Sequence, residues 1–282
     1  MSLLIASHQH KHTMTKRPLY LISAFAFIAV FLIAIYIYFY QFSSLPADLN
    51  NMVLNLVSLV APLSSAVFAT MIYLSFAETD KPRQVWKFMT IFIWMWTIAE
   101  FIWVGYLIRV GDVPLPSFAD AFWLVGFAFL TIALRKQYEN VKRQQVALWK
   151  IALIWAAVFV LSLLVLLLAG SSLSLGNYLE YFYAVADFTA GIVAIRIFLA
   201  FRGGLMSRPW IGLFVLGLAD AIYAWLITTE MYAMSQTEGD IVSLFADTTY
   251  MAAYLILGIG FYATYLVLKH GPESFVPPIA EV

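Results

Sequence analysis

Eight stretches of mostly apolar residues, at about 19 to 41, 52 to 77, 87 to 108, 117 to 138, 147 to 170, 178 to 202, 209 to 231 and 242 to 268, take up nearly all of this 282-residue chain. Each reaches the roughly 20 residues that an α-helix needs to cross a hydrocarbon layer about 30 Å thick. A backbone placed in that layer must satisfy its own polar groups. The sequence therefore predicts an all-α integral membrane protein of eight transmembrane helices. The connections are too short to hold a soluble catalytic domain, and thirteen residues follow Lys269. Any chemistry is expected within the bundle or at its edge.

The charges orient the spans. Lys11, Lys16 and Arg17 precede the first span, and Lys81, Arg83 and Lys87 follow the second. Arg135, Lys136, Lys142, Arg143 and Lys150 lie between the fourth and fifth, Arg202 and Arg208 after the sixth, and Lys269 after the eighth. All of these fall on one side, and the opposite loops hold only Arg109. The positive-inside rule then places both termini in the cytoplasm. The first span is too long for a signal peptide, lacks a small-residue cleavage site, and is read as retained. Met14 is a possible start, which would make His8-Gln9-His10-Lys11-His12 an upstream extension, read here as a disordered tail before a metal site.

Composition narrows the chemistry. Hydrophobic residues make up 63% of the chain and charged residues 11%, against about 45–50% and about 25% in a soluble domain. Sixteen Lys+Arg balance sixteen Asp+Glu, so no basic excess exists to bind nucleic acid. The chain has no cysteine, and its histidines (8, 10, 12 and 270) are near its ends. Thiolate chemistry and intramembrane haem or zinc sites are excluded. No mid-span lysine is placed for a retinal Schiff base. No cofactor is implied, and nothing in the sequence assigns a metal.

The second half repeats the first at an offset of about 125 residues. Val60-Ala61 matches Val185-Ala186, Trp86 matches Trp210, Ala99-Glu100 matches Ala219-Asp220, and Phe118-Ala119-Asp120 matches Phe245-Ala246-Asp247. A repeat of four spans keeps its orientation, so a parallel internal duplication is predicted, with an axis along the membrane normal. The chain divides into a cytoplasmic tail (1–18), a first four-helix repeat (19–141), a second (142–269) and a cytoplasmic tail (270–282).

The acids inside the spans need an explanation. Glu100, Asp187 and Asp220 are expected near mid-bilayer, where each ionised carboxylate costs about 2.5–3.5 kcal/mol on insertion scales. The basic residue farthest from a span end is Arg196, nine residues further toward the cytoplasm than Asp187, and it can reach the inner interface. Three solutions stay open: protonated carboxyls hydrogen-bonded to Ser, Tyr or Trp, a water-filled vestibule, or a bound cation or ligand. Asp120 and Asp247 lie at the outer starts of their spans, with Glu180 and Glu230 at similar depth. Ser117-Phe118-Ala119-Asp120 is also a capping-box pattern, which gives Asp120 a structural role. Asp187 aligns with Pro62, so the two halves are not equivalent there. Trp103 follows Glu100 by three residues, as Tyr223 follows Asp220, so each acid has an aromatic on its own helical face. The candidate ligand-binding set is Glu100, Asp187, Asp220, Trp103, Tyr223, Asp120 and Asp247.

The segment from Pro114 to Phe127, with Pro116-Ser117, Asp120 and Trp123-Leu124 in register, resembles the Pro-Ser-x-x-Asp-x-x-(Tyr/Trp)-Leu signature of bacterial multi-span sensor modules. Those modules precede diguanylate cyclase or histidine kinase domains. The likeness covers about fifteen residues, with looser echoes at Ala99-Glu100, Ala219-Asp220 and Phe245-Ala246-Asp247. It implies a membrane sensor that passes a signal to a cytoplasmic output. No output domain follows the last span, so the effector would be a separate protein or the chain would signal through a homo-oligomer.

The leading expectation is thus a sensory or regulatory protein of a bacterial or archaeal cytoplasmic membrane, binding a small ligand or cation in an acidic outer-half pocket. A cation- or proton-coupled secondary transporter is the alternative, supported by the duplication and the mid-span acids. A structural subunit of a membrane complex is a further one. An enzyme is disfavoured, because carboxylates alone would have to supply the acid–base chemistry.

Overall fold

The computed structural model describes residues 17–143, 145–201, 207–229, 231–232 and 240–272. The His8–His12 tract and Met14 lie outside them, as does most of each terminal tail. Nine α-helices and no strand occur among the described residues: α1 (Arg17–Phe42), α2 (Ala47–Ser58), α3 (Val60–Leu74), α4 (Lys81–Val110), α5 (Phe118–Lys142), α6 (Leu148–Leu168), α7 (Leu175–Ala200), α8 (Arg208–Thr228) and α9 (Ile241–His270). Since α2 and α3 together make one unit, Ala47–Leu74, eight helical units are long and apolar enough to cross a membrane.

The break between α2 and α3 falls at Leu59. Pro62 has no N–H to offer the Ser58 carbonyl, and its ring crowds that carbonyl, so one bond of the helix ladder is lost there, while Leu59 itself stays helical at φ −64° and ψ −20°. Other differences from the expected spans lie at their ends. The apolar stretch starting at 87 belongs to a helix that begins at Lys81. Caps, rather than apolar character, end a helix once its side chains leave the hydrocarbon. Ser174, before α7, accepts the Asn177 N–H at 3.1 Å, and Asp240, before α9, accepts the Val242 N–H at 3.0 Å. Gly111 closes α4 at φ 78°, its N–H bonded to Leu107 O at 3.1 Å. A residue with a side chain would be strained there.

Six helices form a closed ring by contact, in the order α3, α4, α5, α7, α8, α9 and back to α3. Of the other three, α1 lies against α9, α6 lies against α7, and α2 leads into α3 and touches α1 and α4. Only 11% of the most apolar window of α1 and 17% of that of α6 are buried, against 67% for α9. Thus α1 and α6 present their sides outward, and α9 is enclosed.

In hydrocarbon the helices gain little by hiding apolar surface from each other, so close approach and interhelical hydrogen bonds hold them. A Cβ on Gly212 would lie 2.8 Å from Leu257 Cα, and one on Gly260 would lie 2.9 Å from Arg208 O, so α8 and α9 touch through backbone. Hydroxyls on one helix donate to carbonyls on the next: Ser65 to Tyr254 O at 2.7 Å and Thr90 to Ala69 O at 3.0 Å.

At the end of the bundle rich in lysine and arginine, the ring is filled. The Trp86 and Trp210 rings lie 6.2 Å apart, and Phe261 packs edge-on against Trp86 at 5.7 Å. Toward the other end, where α4 and α8 finish and α5, α7 and α9 begin, the ring encloses a cavity.

Candidate ligand-binding site

The cavity has a volume of about 150 Å³. All seven residues singled out in the sequence line it: Glu100 and Trp103 from α4, Asp120 from α5, Asp187 from α7, Asp220 and Tyr223 from α8, and Asp247 from α9. Acids more than a hundred residues apart in the chain thus face one space. Helix phase explains much of this: Glu100, Trp103 and Leu107 all face inward, following the three- and four-residue spacing of one helical face.

The helix-start pair behave differently from each other. Asp120 completes a capping box with Ser117, as the sequence pattern predicts. One of its oxygens accepts the Ser117 N–H and hydroxyl, and the other accepts the Tyr183 hydroxyl at 2.7 Å. A structural role and a place in the cavity wall are therefore combined in one residue. Asp247 is no cap, because α9 begins earlier, at Ile241 behind Asp240. Its two oxygens accept the hydroxyls of Tyr36 at 2.8 Å and Tyr232 at 2.9 Å.

Glu100 accepts from Tyr250 at 2.8 Å and from Tyr254 at 3.4 Å, both on α9. Its partners lie across the ring. Trp103 instead packs on Trp123 at 5.5 Å, and Tyr223 packs between Tyr250 at 5.4 Å and Tyr232 at 5.0 Å. The aromatics on the acids' own helices build the wall, and tyrosines from other helices supply the hydroxyls.

Asp187 and Asp220 enter the site from the middles of α7 and α8. Their carboxyl groups meet at hydrogen-bond range where α7 touches α8. Two carboxyls so close need a proton or a cation between them, since two bare charges would repel strongly. Asp187 is 2% exposed, and its Oδ2 has no hydrogen-bond partner. The contact depends on Gly217, where a Cβ would lie 2.6 Å from Asp187 O.

Among the described residues the ion pairs are Arg83–Glu78 and Arg135–Glu139, and neither involves an acid of the cavity. Nor do three or more His, Cys, Asp or Glu side chains among the described residues converge closely enough to hold a metal ion. The acids are spread around the cavity, each with a tyrosine or carboxyl neighbour.

Sequence reasoning missed Asn51, Asn55, Tyr183, Tyr232, Tyr250 and Tyr254, which also line the cavity. Two of these were within reach of it. Tyr250 and Tyr254 follow Asp247 by three and seven residues, on the same helical face. Tyr183 gave no such signal, because its partner Asp120 lies on another helix; Asn55 bonds Asn51 one turn back on α2, a local polar pair that carries no mark of a cavity.

No family model matches the chain, and no curated protein or solved structure matches it.

Proposed function

We propose that this chain is a multi-pass membrane protein of sensory or regulatory type, whose central cavity binds a small organic cation and whose occupancy is passed to a separate protein or a second copy. The supporting observation is the convergence of six carboxyl side chains, Glu180 among them, on one aromatic-walled cavity, with no ion pair to them from a lysine or arginine among the described residues. An amine or quaternary ammonium group is attracted both by carboxylates and by the faces of Tyr and Trp rings. At about 150 Å³ the space suits a ligand of a few heavy atoms, since pockets for drug-sized molecules run from about 300 Å³ upward. A divalent metal is a poorer fit, because it would need several converging ligands.

The duplication and the orientation belong to the same proposal. The ring order maps onto itself when α3, α4 and α5 are exchanged with α7, α8 and α9. Trp86 and Trp210, equivalent in the sequence repeat, lie against each other, as residues near a two-fold axis would. With the basic loops in the cytoplasm, the cavity lies in the outer half of the membrane.

The test is thermal stabilisation of the detergent-purified protein by methylammonium, tetramethylammonium and choline, with sodium and calcium as comparisons. Stabilisation by an organic cation is expected, with affinity lowered roughly tenfold or more in Glu100→Gln and Asp220→Asn, the loss expected for a charge-assisted contact. Equal affinity in both variants would remove these acids from the function.

A second reading, a cation- or proton-coupled transporter, draws on the helix break at Leu59. Ser58, Leu59 and Pro62 line the cavity, and backbone carbonyls freed from a helix ladder are among the groups that hold coupling ions at transport sites. Gradient-driven uptake of methylammonium into reconstituted vesicles would favour it over sensing.

A further inference from the structure

We propose that a groove between α5, α6 and α7, at the basic end of the bundle, binds one anionic phospholipid, with the phosphate at Arg196 and Lys150 and an acyl chain along the groove. Its volume is about 420 Å³, larger than that of the central cavity. It exists because α6 packs on α7 and reaches α5 mainly through Trp155, whose ring lies 6.1 Å from that of Phe127. On the other side of the bundle α1 is seated on α9, with Phe25 and Tyr262 rings 6.0 Å apart. The corresponding seat of α6 on α5 stays open.

The groove is apolar along its length and basic at its mouth. Leu130, Leu134, Ile154, Trp155, Val158 and Val193 make its walls. Two of the three hydroxyls there are used within their own helices: Thr131 donates to Phe127 O at 2.8 Å and Thr189 to Val185 O at 2.7 Å, and the third, on Tyr138, lies one turn past Arg135 toward the basic end. The wall therefore offers methyl groups and rings, which suits an acyl chain.

Arg135, Lys150 and Arg196 stand at the mouth, one from each of the three helices. Glu139 is the acid bonded there, and it is occupied: its Oε1 accepts from Arg135 Nε at 3.0 Å and from the Val146 N–H at 2.8 Å. That bond turns Arg135 toward its own helix and ties the start of α6 to the end of α5. Arg196 and Lys150 have no carboxylate partner among the described residues. Arg196 lies in the last turns of α7, before its end at Ala200, and it is exposed.

Basic pockets between helices at a membrane surface recognise anionic headgroups, and each basic residue near such a surface contributes about 1 kcal/mol. A free anion would use the mouth but leave the apolar walls empty, so the walls favour a lipid. Phe127 lines both this groove and the central cavity, with its ring stacked 6.1 Å from that of Tyr183, which bonds Asp120. The lipid site shares a wall with the acidic site, yet it requires only that the chain lie in a bilayer. It can fail or succeed whatever the cavity binds.

Native mass spectrometry of the intact protein, titrated with phosphatidylglycerol or with phosphatidylcholine of the same acyl chains, tests the proposal. Phosphatidylglycerol should bind more tightly, and Arg196→Gln or Lys150→Gln should each lower that preference roughly fivefold, while Arg196→Lys keeps most of it. Thermal stabilisation should follow the same order. Equal binding of the two lipids, or a preference unchanged in both glutamine variants, would overturn the site. So would stabilisation by inorganic phosphate alone equal to that by phosphatidylglycerol, which would assign the basic mouth to a free anion. Because Arg196 is exposed and its lysine variant keeps the charge, a loss confined to the glutamine variants cannot be put down to misfolding.

Discussion

Tyrosine is the residue that makes this acidic cavity tenable. A carboxyl group in an apolar bundle needs hydrogen-bond donors. Tyr36, Tyr183, Tyr232 and Tyr250 supply them at 2.7–2.9 Å to Asp247, Asp120 and Glu100. A phenol serves well because its ring packs against the neighbouring helices while its hydroxyl reaches the acid. Tyr250→Phe should remove the shorter of the two tyrosine bonds to Glu100 and leave the 3.4 Å contact from Tyr254. The expected cost is about 1–3 kcal/mol of stability, that of a buried acceptor losing its donor, read as a lower midpoint of thermal unfolding in detergent. Tyr254→Phe, which removes the longer bond, should cost less. An equal fall in both variants would mean that Tyr250 is not the main donor.

Among the elements, α8 does most to close the ring, and glycine is what lets it. Gly217 brings α8 against the backbone of Asp187, and so brings Asp220 within reach of the Asp187 carboxyl. Gly217→Ala should push α7 and α8 apart, costing about 1–3 kcal/mol as an overpacked contact does, and weakening any ligand held by the Asp187–Asp220 pair. Gly105, in α4, makes the control: a Cβ there would meet nothing within 4 Å. Gly105→Ala should be neutral or stabilising by up to about 1 kcal/mol through helix propensity. Equal destabilisation by the two substitutions would show that helix approach at Gly217 is not what matters.

On the scale of the whole molecule, the two sides differ in charge. Basic residues crowd one end, and the carboxyls of the cavity lie toward the other. The natural absence of cysteine makes the orientation easy to test by labelling. In intact cells a membrane-impermeant thiol reagent should label Leu173→Cys, in the loop between α6 and α7, but not Thr79→Cys, between α3 and α4, because the second loop belongs to the basic side. The reverse pattern would place the acidic cavity toward the cytoplasm and reverse the direction of the proposed signal.

The sequence by itself determined that the chain is helical and built of eight membrane-length units, because the need to satisfy the backbone in hydrocarbon acts on each span alone. It also singled out the acids, whose cost in such a span is local and large. The capping box at Ser117 was legible for the same reason: a cap is made within four residues. Partners were another matter. Which tyrosine would bond Glu100, that Asp187 would meet Asp220, that Trp103 would turn to Trp123, and that α6 would leave a groove beside α5 all depend on how helices pack on one another. Those contacts join residues as far apart as Tyr36 and Asp247. Packing between helices in an apolar medium is decided by shape, glycine placement and a few polar links, and a single sequence does not display these. Only the tertiary structure brought the separate acids to one cavity and set the basic groove against its wall.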